Sequence, residues 1–426
     1  MFRKTEACVT RRCMVLKRNQ SVEQERAATL WGETAPAGYN AVIAEFTPLL
    51  EEIRAQSLRA EVERILPFGQ IARLKESGLT AFTVPAEFGG LGRPLHELFS
   101  LVVDLATADS NVAQALRAHF GFIEQLRWEE PSAYTERWLR RLGRGETAGA
   151  AAAEKGAERD RFATTFSQKD GHWVINGSKF FTTGSLYADW LTVTGSTEDG
   201  ETVKCLAARS DPGLEIVDDW DGVGQKLTAS GTAHFRDVRV EDDELRYGNT
   251  GFSYSQAFFQ LYHLATVAGI TQAAALDIAR AVRERKRGFS HANHALPAHD
   301  PQILEIVGHV ASAAHTARAI VRHAAEALQA AADSREGDER GPATVKAELE
   351  VWQAQEIIFP LTLNATSLLF DALGGTATLR VAGLDRYWRN IRTIGCHNPR
   401  VYRTRVIGDY LVNGEPPPGQ WRVGTV

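Results

Sequence analysis

The fold of this chain is decided by the stretch HWVINGSKFFTTGSLYADWLTV, residues 172–193. Two of its segments, HWVI and DWLTV, are rich in aromatic and β-branched residues, which favour extended strands. Three turn dipeptides surround these segments and the later run TVKCLAA: Asp170-Gly171, Asn176-Gly177 and Asp199-Gly200. Asp-Gly and Asn-Gly between apolar runs are strong short-range hairpin signals. Residues 145–245 are therefore predicted to form a β-domain.

Helical patterns precede this β-domain. Apolar residues recur at helical spacing from Tyr39 onward, at Val42, Phe46, Leu49, Leu50 and Ile53. The segment VPAEFGGLGRP, residues 84–94, is dense in glycine and proline and predicts a turn-rich connection, after which Asp109 is the expected N-cap of another helix. Residues 36–144 are predicted to form an N-terminal helical domain, and residues 1–35 a basic, disordered tail.

Helical patterns also follow the β-domain. Residues 253–287 have a continuous helical pattern, and a second helix is expected to start at Asp300, with Pro301 in its first turn. A polar segment, residues 331–344, separates it from further helix. Residues 246–426 are therefore predicted to form a C-terminal helical bundle.

Composition narrows the class of function. The chain has 426 residues and a formal net charge of −5, which provides no broad cationic field for nucleic acid or an anionic membrane. Its four cysteines form neither a disulfide framework nor a complete zinc site, so a reducing cytoplasm is the expected compartment. No run approaches eighteen apolar residues, so no transmembrane helix is predicted. These properties favour an enzyme that acts on a small molecule.

Several strings between Tyr39 and Leu411 resemble the acyl-CoA dehydrogenase superfamily. They are VPAEFGGLG (84–92), INGSKFFTTGSLYADW (175–190), DVRV (237–240), RGFS (287–290) and DALGGTA (371–377). The resemblance implies an α+β fold with an N-terminal helical domain, a central antiparallel β-domain and a C-terminal four-helix bundle. It also implies a flavin, part of which is held across a subunit interface, and hence a homotetramer with a dimer as the minimum.

Three further strings are closest to the two-component flavin-dependent monooxygenases of this superfamily. They are AQALRAHFGF (113–122), DDWDGVGQKLTASGT (218–232) and LDRYWRNIRTIGCHNP (384–399). In the last of them, the position of the dehydrogenase's catalytic glutamate falls on Asn398, whose amide cannot accept a proton. The other known carboxylate position is also empty, because no Asp or Glu lies between Glu244 and Asp277. Dehydrogenation is predicted to have lost its base.

Two departures on the first predicted strand bear on coenzyme A and flavin. Arg159 stands where the dehydrogenase motif has a small hydroxyl near the coenzyme A path, which puts coenzyme A recognition in doubt. Ala150 and Ala153 replace polar residues of the monooxygenase pattern. Flavin hydrogen bonds at that strand would then have to come from the backbone.

The resemblance places His119 and His397 on the substrate side of the flavin, with Asn398 to orient or polarise. A flavin C4a-hydroperoxide needs exclusion of water and a hydrogen-bond donor, and histidine can also transfer protons near neutrality. Alternatives stay open for both residues. His119 lies on an apolar helical stripe and could be a core residue, whereas His397 could be a surface residue at a helix end.

The resemblance also assigns residues to the cofactor. Phe181, Thr182 and Thr183 would lie against the isoalloxazine, with an ordinary strand end as the alternative. Four others would hold the phosphate end, with a helix cap and a turn as the alternatives: Arg287, Phe289, Gly374 and Gly375. The histidines of SHANHALPAHD (290–300) lack a completing carboxylate or cysteine, so a polar loop is predicted there and no metal site.

The predicted function is a two-component monooxygenase that uses reduced FMN, with FAD as the alternative, and O2 to oxygenate a small aromatic or heteroatom-containing substrate. The chain has no nicotinamide-binding GxGxxG unit, so a separate NAD(P)H:flavin reductase is the expected partner. Two alternatives remain: an acyl-CoA dehydrogenase with His397 as an atypical base, and a non-catalytic scaffold that kept the fold.

Overall fold

The structure is a computed structural model that describes residues 29–31, 35–156, 162–248, 251–335 and 341–419. Residues 1–28 and 32–34 of the predicted tail, which include Cys8 and Cys13, lie outside the described residues, and so does Arg159. Predictions made for those positions stay predictions. Residues 29–31 are helical and Trp31 is buried, with its indole N–H donating to the Ala311 carbonyl at 3.4 Å, so the prediction of disorder is wrong for these three residues.

The N-terminal region is helical from Tyr39 to Gly143. Its helices are α1 (Tyr39–Glu63), α2 (Phe68–Glu76), α3 (Leu95–Ala108), α4 (Ser110–Ala115), α5 (Arg117–Trp128) and α6 (Ala133–Gly143). Helix α3 is apolar on nearly all sides and buried, as expected of a helix inside the core. Asp109 caps α4, where its side chain accepts a hydrogen bond from the Asn111 amide, and this confirms the predicted cap. A short break at Leu116 separates α4 from α5.

Eight strands of the described residues form one sheet in the middle of the chain. They are β1 (Ala148–Ala151), β2 (Thr165–Lys169), β3 (His172–Lys179), β4 (Trp190–Thr197), β5 (Thr202–Ala208), β6 (Leu214–Val217), β7 (Thr232–Val240) and β8 (Arg246–Tyr247). The order is β6-β7-β3-β2-β4-β5-β8, and β1 pairs with β4. The β1–β4 and β2–β4 pairs are parallel, so the predicted antiparallel sheet is in fact mixed.

Two of the predicted turns have different outcomes. Asp170-Gly171 joins β2 to β3 in a two-residue hairpin, with φ of 50° and 79°, as predicted. Asn176-Gly177 lies inside β3 instead, so its prediction as a turn is wrong. The pairing of β3 with β7 shifts register between Ile175 and Gly177, and Gly177 has φ 140°. A Cβ at Gly177 would lie 2.7 Å from the Thr164 Cα, so the glycine serves a β-bulge under close backbone approach.

Long helices return after the sheet. They are α7 (Ser255–Glu284), α8 (Pro301–Ser334), α9 (Pro342–Leu373), α10 (Asp385–Ile394) and α11 (Arg403–Asn413). Helices α7, α8 and α9 pack on one another, α3 packs on α7, and the shorter α10 packs on α7 and α9. Asp300 caps α8 and Pro301 occupies its first position, as predicted.

Helix α9 is long and apolar enough to cross a membrane by length and composition alone. Core helices of soluble proteins pass the same test, and Val351, Trp352 and Ile358 of this helix are fully buried within the bundle. The helix is therefore accounted for by packing.

The sheet and the helices have separate hydrophobic cores. Phe166, Ile175, Leu191 and Val193 belong to a core within the β-domain. Ala148, Tyr187, Leu206 and Ala229 of the same domain join the helical core instead. The segment around Tyr187, which follows β3, is consequently where the β-domain meets the helices.

Candidate functional site

The end of the β3 hairpin is pressed against the junction of α4 and α5. Gly184 has φ 81°, and a Cβ there would lie 2.0 Å from the Ala115 carbonyl oxygen. The strand β1 and the residues after it hydrogen-bond to this segment. The Ala150 amide donates to the Thr183 carbonyl at 3.3 Å, and the Phe180 amide donates to the Ala153 carbonyl at 2.9 Å. The backbone of Ala150 and Ala153 thus positions the hairpin end, although their side chains carry no polar group.

Hydroxyl groups connect the hairpin end to the loop between β6 and β7. Thr183 Oγ1 lies 2.8 Å from Ser230 Oγ, which lies 2.7 Å from Thr228 Oγ1. Thr182 is fully buried and its hydroxyl donates to the Gly231 carbonyl at 2.9 Å. Of the two predicted threonines, Thr183 is half-buried and its hydroxyl hydrogen-bonds to the hydroxyl of Ser230. The Thr182 hydroxyl is instead used in a hydrogen bond to the backbone.

Phe181 lies at the surface of this hairpin end in an unusual backbone conformation. Its φ is 61° and 51% of the residue is exposed. A large aromatic residue with positive φ costs conformational free energy of about 1–3 kcal/mol, and such strain is concentrated at functional sites. Its ring packs edge-on to Phe180 at 4.7 Å and to Trp220 at 6.0 Å. An exposed aromatic surface held in a strained conformation suits stacking against a planar ligand.

His397 lies in the loop after α10 and contacts three other polar side chains. Arg117 Nη2 lies 3.2 Å from His397 Nε2, and His397 Nδ1 lies 3.3 Å from Asn398 Oδ1. The ring also packs edge-on to His263, with 4.4 Å between centroids. Since a guanidinium can only donate, Nε2 accepts from Arg117, and Nδ1–H donates to Asn398. The site thus fixes one neutral tautomer of His397.

The charge of Arg117 has a consequence for proton transfer at His397. Burial among protein atoms, followed by the Arg117 guanidinium, lowers the pKa of His397 to about 3, while the hydrogen bond to Asn398 acts in the opposite direction. The residue is exposed by accessible area, so solvent offsets part of the burial effect. At neutral pH His397 is uncharged.

His263 and Gln114 complete this group, which we call the histidine cluster: Gln114, Arg117, His263, His397 and Asn398. His263 is fully buried on α7, and its Nε2 lies 3.4 Å from Gln114 Nε2. Burial, and then the neighbouring His397 and Arg117, lower the pKa of His263 well below its usual value. It is neutral and accepts from Gln114 at Nε2.

Sequence patterns did not single out Gln114, Arg117 or His263. The available signal was weak: His263 is a single polar residue in the apolar run LYHLATVAGI, and Arg117 stands two residues before His119. Three side-chain atoms in this region are buried without a hydrogen-bond partner: Arg117 Nε, Gln114 Oε1 and Gln225 Oε1. Buried polar groups are normally satisfied, so the region has unused hydrogen-bonding capacity of the kind a ligand site retains.

His119 is not part of the histidine cluster. Its Nε2 donates to the Thr80 carbonyl at 2.8 Å, and its Nδ1 accepts from the Ala148 amide at 3.3 Å. Burial lowers its pKa to about 4, so the fully buried ring is neutral. Neither nitrogen is free in this structure, and the ring connects the N-terminal helices to β1. This geometry favours the core role over the predicted catalytic one.

The remaining predicted cofactor residues lie at the other end of α7. Arg285, just beyond this helix, donates to the Leu373 carbonyl at 2.6 Å and stacks on Phe289 at 5.0 Å. Gly374 has φ 65°, and a Cβ there would lie 2.9 Å from Phe289 Cζ, so only glycine allows this approach. Together with Arg287 and Gly375 we call these residues the glycine–arginine group. Arg285 and Arg287 also line a cavity of about 510 Å³ that reaches the surface.

The structure therefore divides the predicted cofactor residues into two sets. Phe181, Thr182 and Thr183 adjoin α4 and α5, near the start of α7. At a rise of 1.5 Å per residue, His263 and the glycine–arginine group are about 33 Å apart along α7. Within one chain, this is longer than an FMN molecule.

Comparisons with known proteins agree with this architecture. Three family models match consecutively: acyl-CoA dehydrogenase N-terminal domain at residues 41–146, middle domain at 148–238 and C-terminal domain at 261–399. Dibenzothiophene monooxygenase of Rhodococcus qingshengii is 28% identical over 366 residues, covering 81% of this chain and 86% of the relative. The "Probable FMNH2-dependent monooxygenase SfnC" of Pseudomonas putida is 26% identical, covering 87% and 95%.

A solved structure gives the same result. The TdsC protein of Paenibacillus sp. A11-2, solved with FMN and indole, superposes with a TM-score of 0.79 at 27% identity. The match covers 88% of this chain and 98% of TdsC. The order of the three matched domains, together with the order of helices, sheet and helices along the chain, leads to one conclusion: this chain belongs to the acyl-CoA dehydrogenase superfamily.

Proposed function

We propose that this protein is the oxygenase component of a two-component flavin-dependent monooxygenase. The observation that carries the proposal is the histidine cluster, in which an amide, Asn398, and a neutral His397 stand where a dehydrogenase would need a carboxylate base. A histidine with its pKa lowered to about 3 is a poor base for removing the α-proton of a thioester at neutral pH. The names of the relatives and the FMN-bound TdsC support the same activity.

The residues present fit a flavin. The exposed ring of Phe181 offers a stacking surface, and the Thr183–Ser230 hydroxyl pair offers hydrogen bonds beside it. When bound, reduced FMN supplies the electrons that activate O2 for transfer of one oxygen atom to the substrate. FAD is the alternative cofactor, and a separate NAD(P)H:flavin reductase supplies the reduced form.

The protein's own residues have the tasks of positioning and exclusion. The Asn398 amide N–H2 provides donors beside the reacting atoms, and the hydrogen bond that its Oδ1 accepts from His397 Nδ1–H keeps it oriented. Phe259, which lies under Arg117, and the buried His263 close this side of the site with apolar and aromatic surface. Exclusion of water protects reactive oxygen species from decomposition.

A homotetramer, or at least a dimer, belongs to this proposal. The glycine–arginine group is too far from the histidine cluster of its own chain to hold the same FMN, so it would serve the site of another protomer. Arg287, Phe289, Gly374 and Gly375 would hold the phosphate end there. The protein is soluble, and we place it in the cytoplasm, where the reductase and reduced thiols are found.

The decisive experiment combines the purified protein with a flavin reductase, NADH, FMN and ¹⁸O2. Indole, the ligand of TdsC, and dibenzothiophene are suitable first substrates, and mass spectrometry of the products is the readout. We expect one ¹⁸O atom in the product, and no product when the reductase is omitted. Absence of any oxygenated product, together with a tightly bound FAD that an acyl-CoA bleaches anaerobically, would establish the dehydrogenase alternative instead.

A further inference from the structure

Arg117 is a guanidinium without an anionic partner. Within residues 35–156, 162–248, 251–335 and 341–419, no Asp or Glu pairs with it, and its polar contact is the neutral His397 at 3.2 Å. Its Cζ lies 5.0 Å from the centroid of the Phe259 ring. Nε is buried without a partner, and Nη1 donates no hydrogen bond to a described residue. By contrast, Arg127 on the same helix and Arg137 on the following helix α6 pair with carboxylates.

An unpaired cation in such surroundings is costly. Burial lowers the pKa of Arg117 to about 10, which reports the unfavourable environment of its charge. The face of Phe259 compensates part of the cost through a cation–π contact, but it carries no net negative charge. Side chains with an unsatisfied charge in a cleft are candidates for binding a ligand of opposite sign.

We propose that Arg117 binds the anionic group of the substrate, and that the natural substrate is a small aromatic or apolar acid, a carboxylate or sulfinate. The planar guanidinium matches the two oxygens of such a group, and Phe259 provides an aromatic surface for the body of the molecule. The inference rests on the proposed function for the reaction itself, although binding can be measured without turnover.

Binding of an anion would also change His397. Arg117 both occupies His397 Nε2 and lowers its pKa through its charge. An anion on the guanidinium would neutralise that charge and draw the donor away, so that Nε2 becomes free and its proton affinity rises. Substrate would thus create a competent proton acceptor beside Asn398 only when it is bound.

The phosphate of the flavin is the other possible source of an anion. We favour the substrate because Arg117 contacts His397, the neighbour of Asn398 at the position of the dehydrogenase base, whereas the arginines of the predicted phosphate site lie beyond the far end of α7. The two sources can be separated by comparing FMN with riboflavin, which lacks the phosphate.

The test measures binding by titration calorimetry on the purified full-length protein without reductase. The probes are benzoate, benzenesulfinate and the neutral benzamide. We expect the wild type to bind benzoate and benzenesulfinate at least 10-fold more tightly than benzamide, and Arg117→Gln to abolish that preference while leaving benzamide and FMN affinities unchanged. Arg117→Lys should keep part of the preference for the anionic probes because the positive charge remains. Arg140→Gln is the matched control, since Arg140 also stacks on a phenyl ring, Phe88, at 5.1 Å but lies on the surface.

Three results would overturn the proposal. One is an equal affinity of the wild type for benzoate and benzamide, and another is an unchanged preference in Arg117→Gln. The third is a loss of FMN affinity in Arg117→Gln with riboflavin affinity unaffected, which would assign Arg117 to the flavin phosphate. Because none of these measurements needs oxygen transfer, they stand apart from failure of the monooxygenase assay. Melting curves of the variants, together with the Arg117→Lys variant, show whether a loss of binding in Arg117→Gln comes from a folding defect.

Discussion

The two ends of helix α7 differ in how complete they are within one chain. At the first end, His263 is buried beneath His397, and side chains from α4, α5, α7 and the loop after α10 meet there. At the other end, the glycine–arginine group lies at the surface, and 61% of Phe289 is exposed. The same helix thus carries one site that is assembled by a single protomer and one that faces outward.

The difference teaches which functions each end can have. A site whose side chains all come from its own chain can fix tautomers before any ligand arrives, and such preorganisation is what chemistry on a bound flavin requires. An exposed group that includes the side chain of Arg287 suits a contact that another protomer or a phosphate completes. We therefore expect substitutions at the first end to affect the reaction, and substitutions at the second to affect flavin affinity.

The largest expected effect is that of His397→Ala on turnover. Removing the fixed donor and the proton acceptor should lower product formation about 1,000-fold, within the range for general acid–base groups. FMN affinity should remain within about 2-fold of wild type, since the phosphate site is elsewhere. Product yield per NADH, with hydrogen peroxide as the uncoupled product, is the measurement. His323→Ala, a surface histidine on α8, is the control, and unchanged coupling in His397→Ala would remove this residue from the mechanism.

A second effect concerns stability where His119 connects the N-terminal helices to β1. His119 has a pKa of about 4 when folded and 6.5 when unfolded, so between pH 6.5 and 4 the unfolded chain takes up a proton that the folded one does not. The free energy of unfolding should therefore fall with decreasing pH across this window, by about 3 kcal/mol from this residue, and level off below pH 4.

Denaturant titrations of wild type and His119→Gln between pH 4 and 8 measure this contribution. The variant should lose stability at pH 7, because the bonds to Thr80 and Ala148 are disturbed, but its stability should fall less steeply with acid. The interval from pH 7 to 8 serves as the internal control, since neither form of His119 takes up a proton there. Equal slopes in the two proteins would contradict a neutral, buried His119.

The smallest effect is expected at the exposed end. Arg287→Ala should weaken FMN binding about 10-fold, the loss of one charge-assisted hydrogen bond to phosphate, and leave riboflavin binding unchanged. Fluorescence titration with both flavins measures it, and sedimentation velocity tests whether the assembly is intact. If Arg287→Ala reduces coupling to product without changing FMN affinity, the proposed division of labour between the two ends of α7 is wrong.

Some local structure followed directly from residue types. The Asp170-Gly171 hairpin and the Asp109 and Asp300 caps were predictable, since each depends on neighbours within four residues. Asn176-Gly177 shows the limit of such local rules. Whether its glycine makes a turn or a bulge is decided by the approach of Thr164 and the pairing with β7.

The sequence by itself determined the order of helices, strands and helices, the family, and the loss of the dehydrogenase base at Asn398. Each of these is written in contiguous strings or in the identity of a single residue. Only the tertiary structure decided that His119 is satisfied by backbone groups. It also decided that His397 meets Arg117, 280 positions earlier in the chain, and His263, 134 positions earlier. Contacts between residues so distant in the chain depend on how whole helices pack, and helical periodicity gives only the face on which a residue lies.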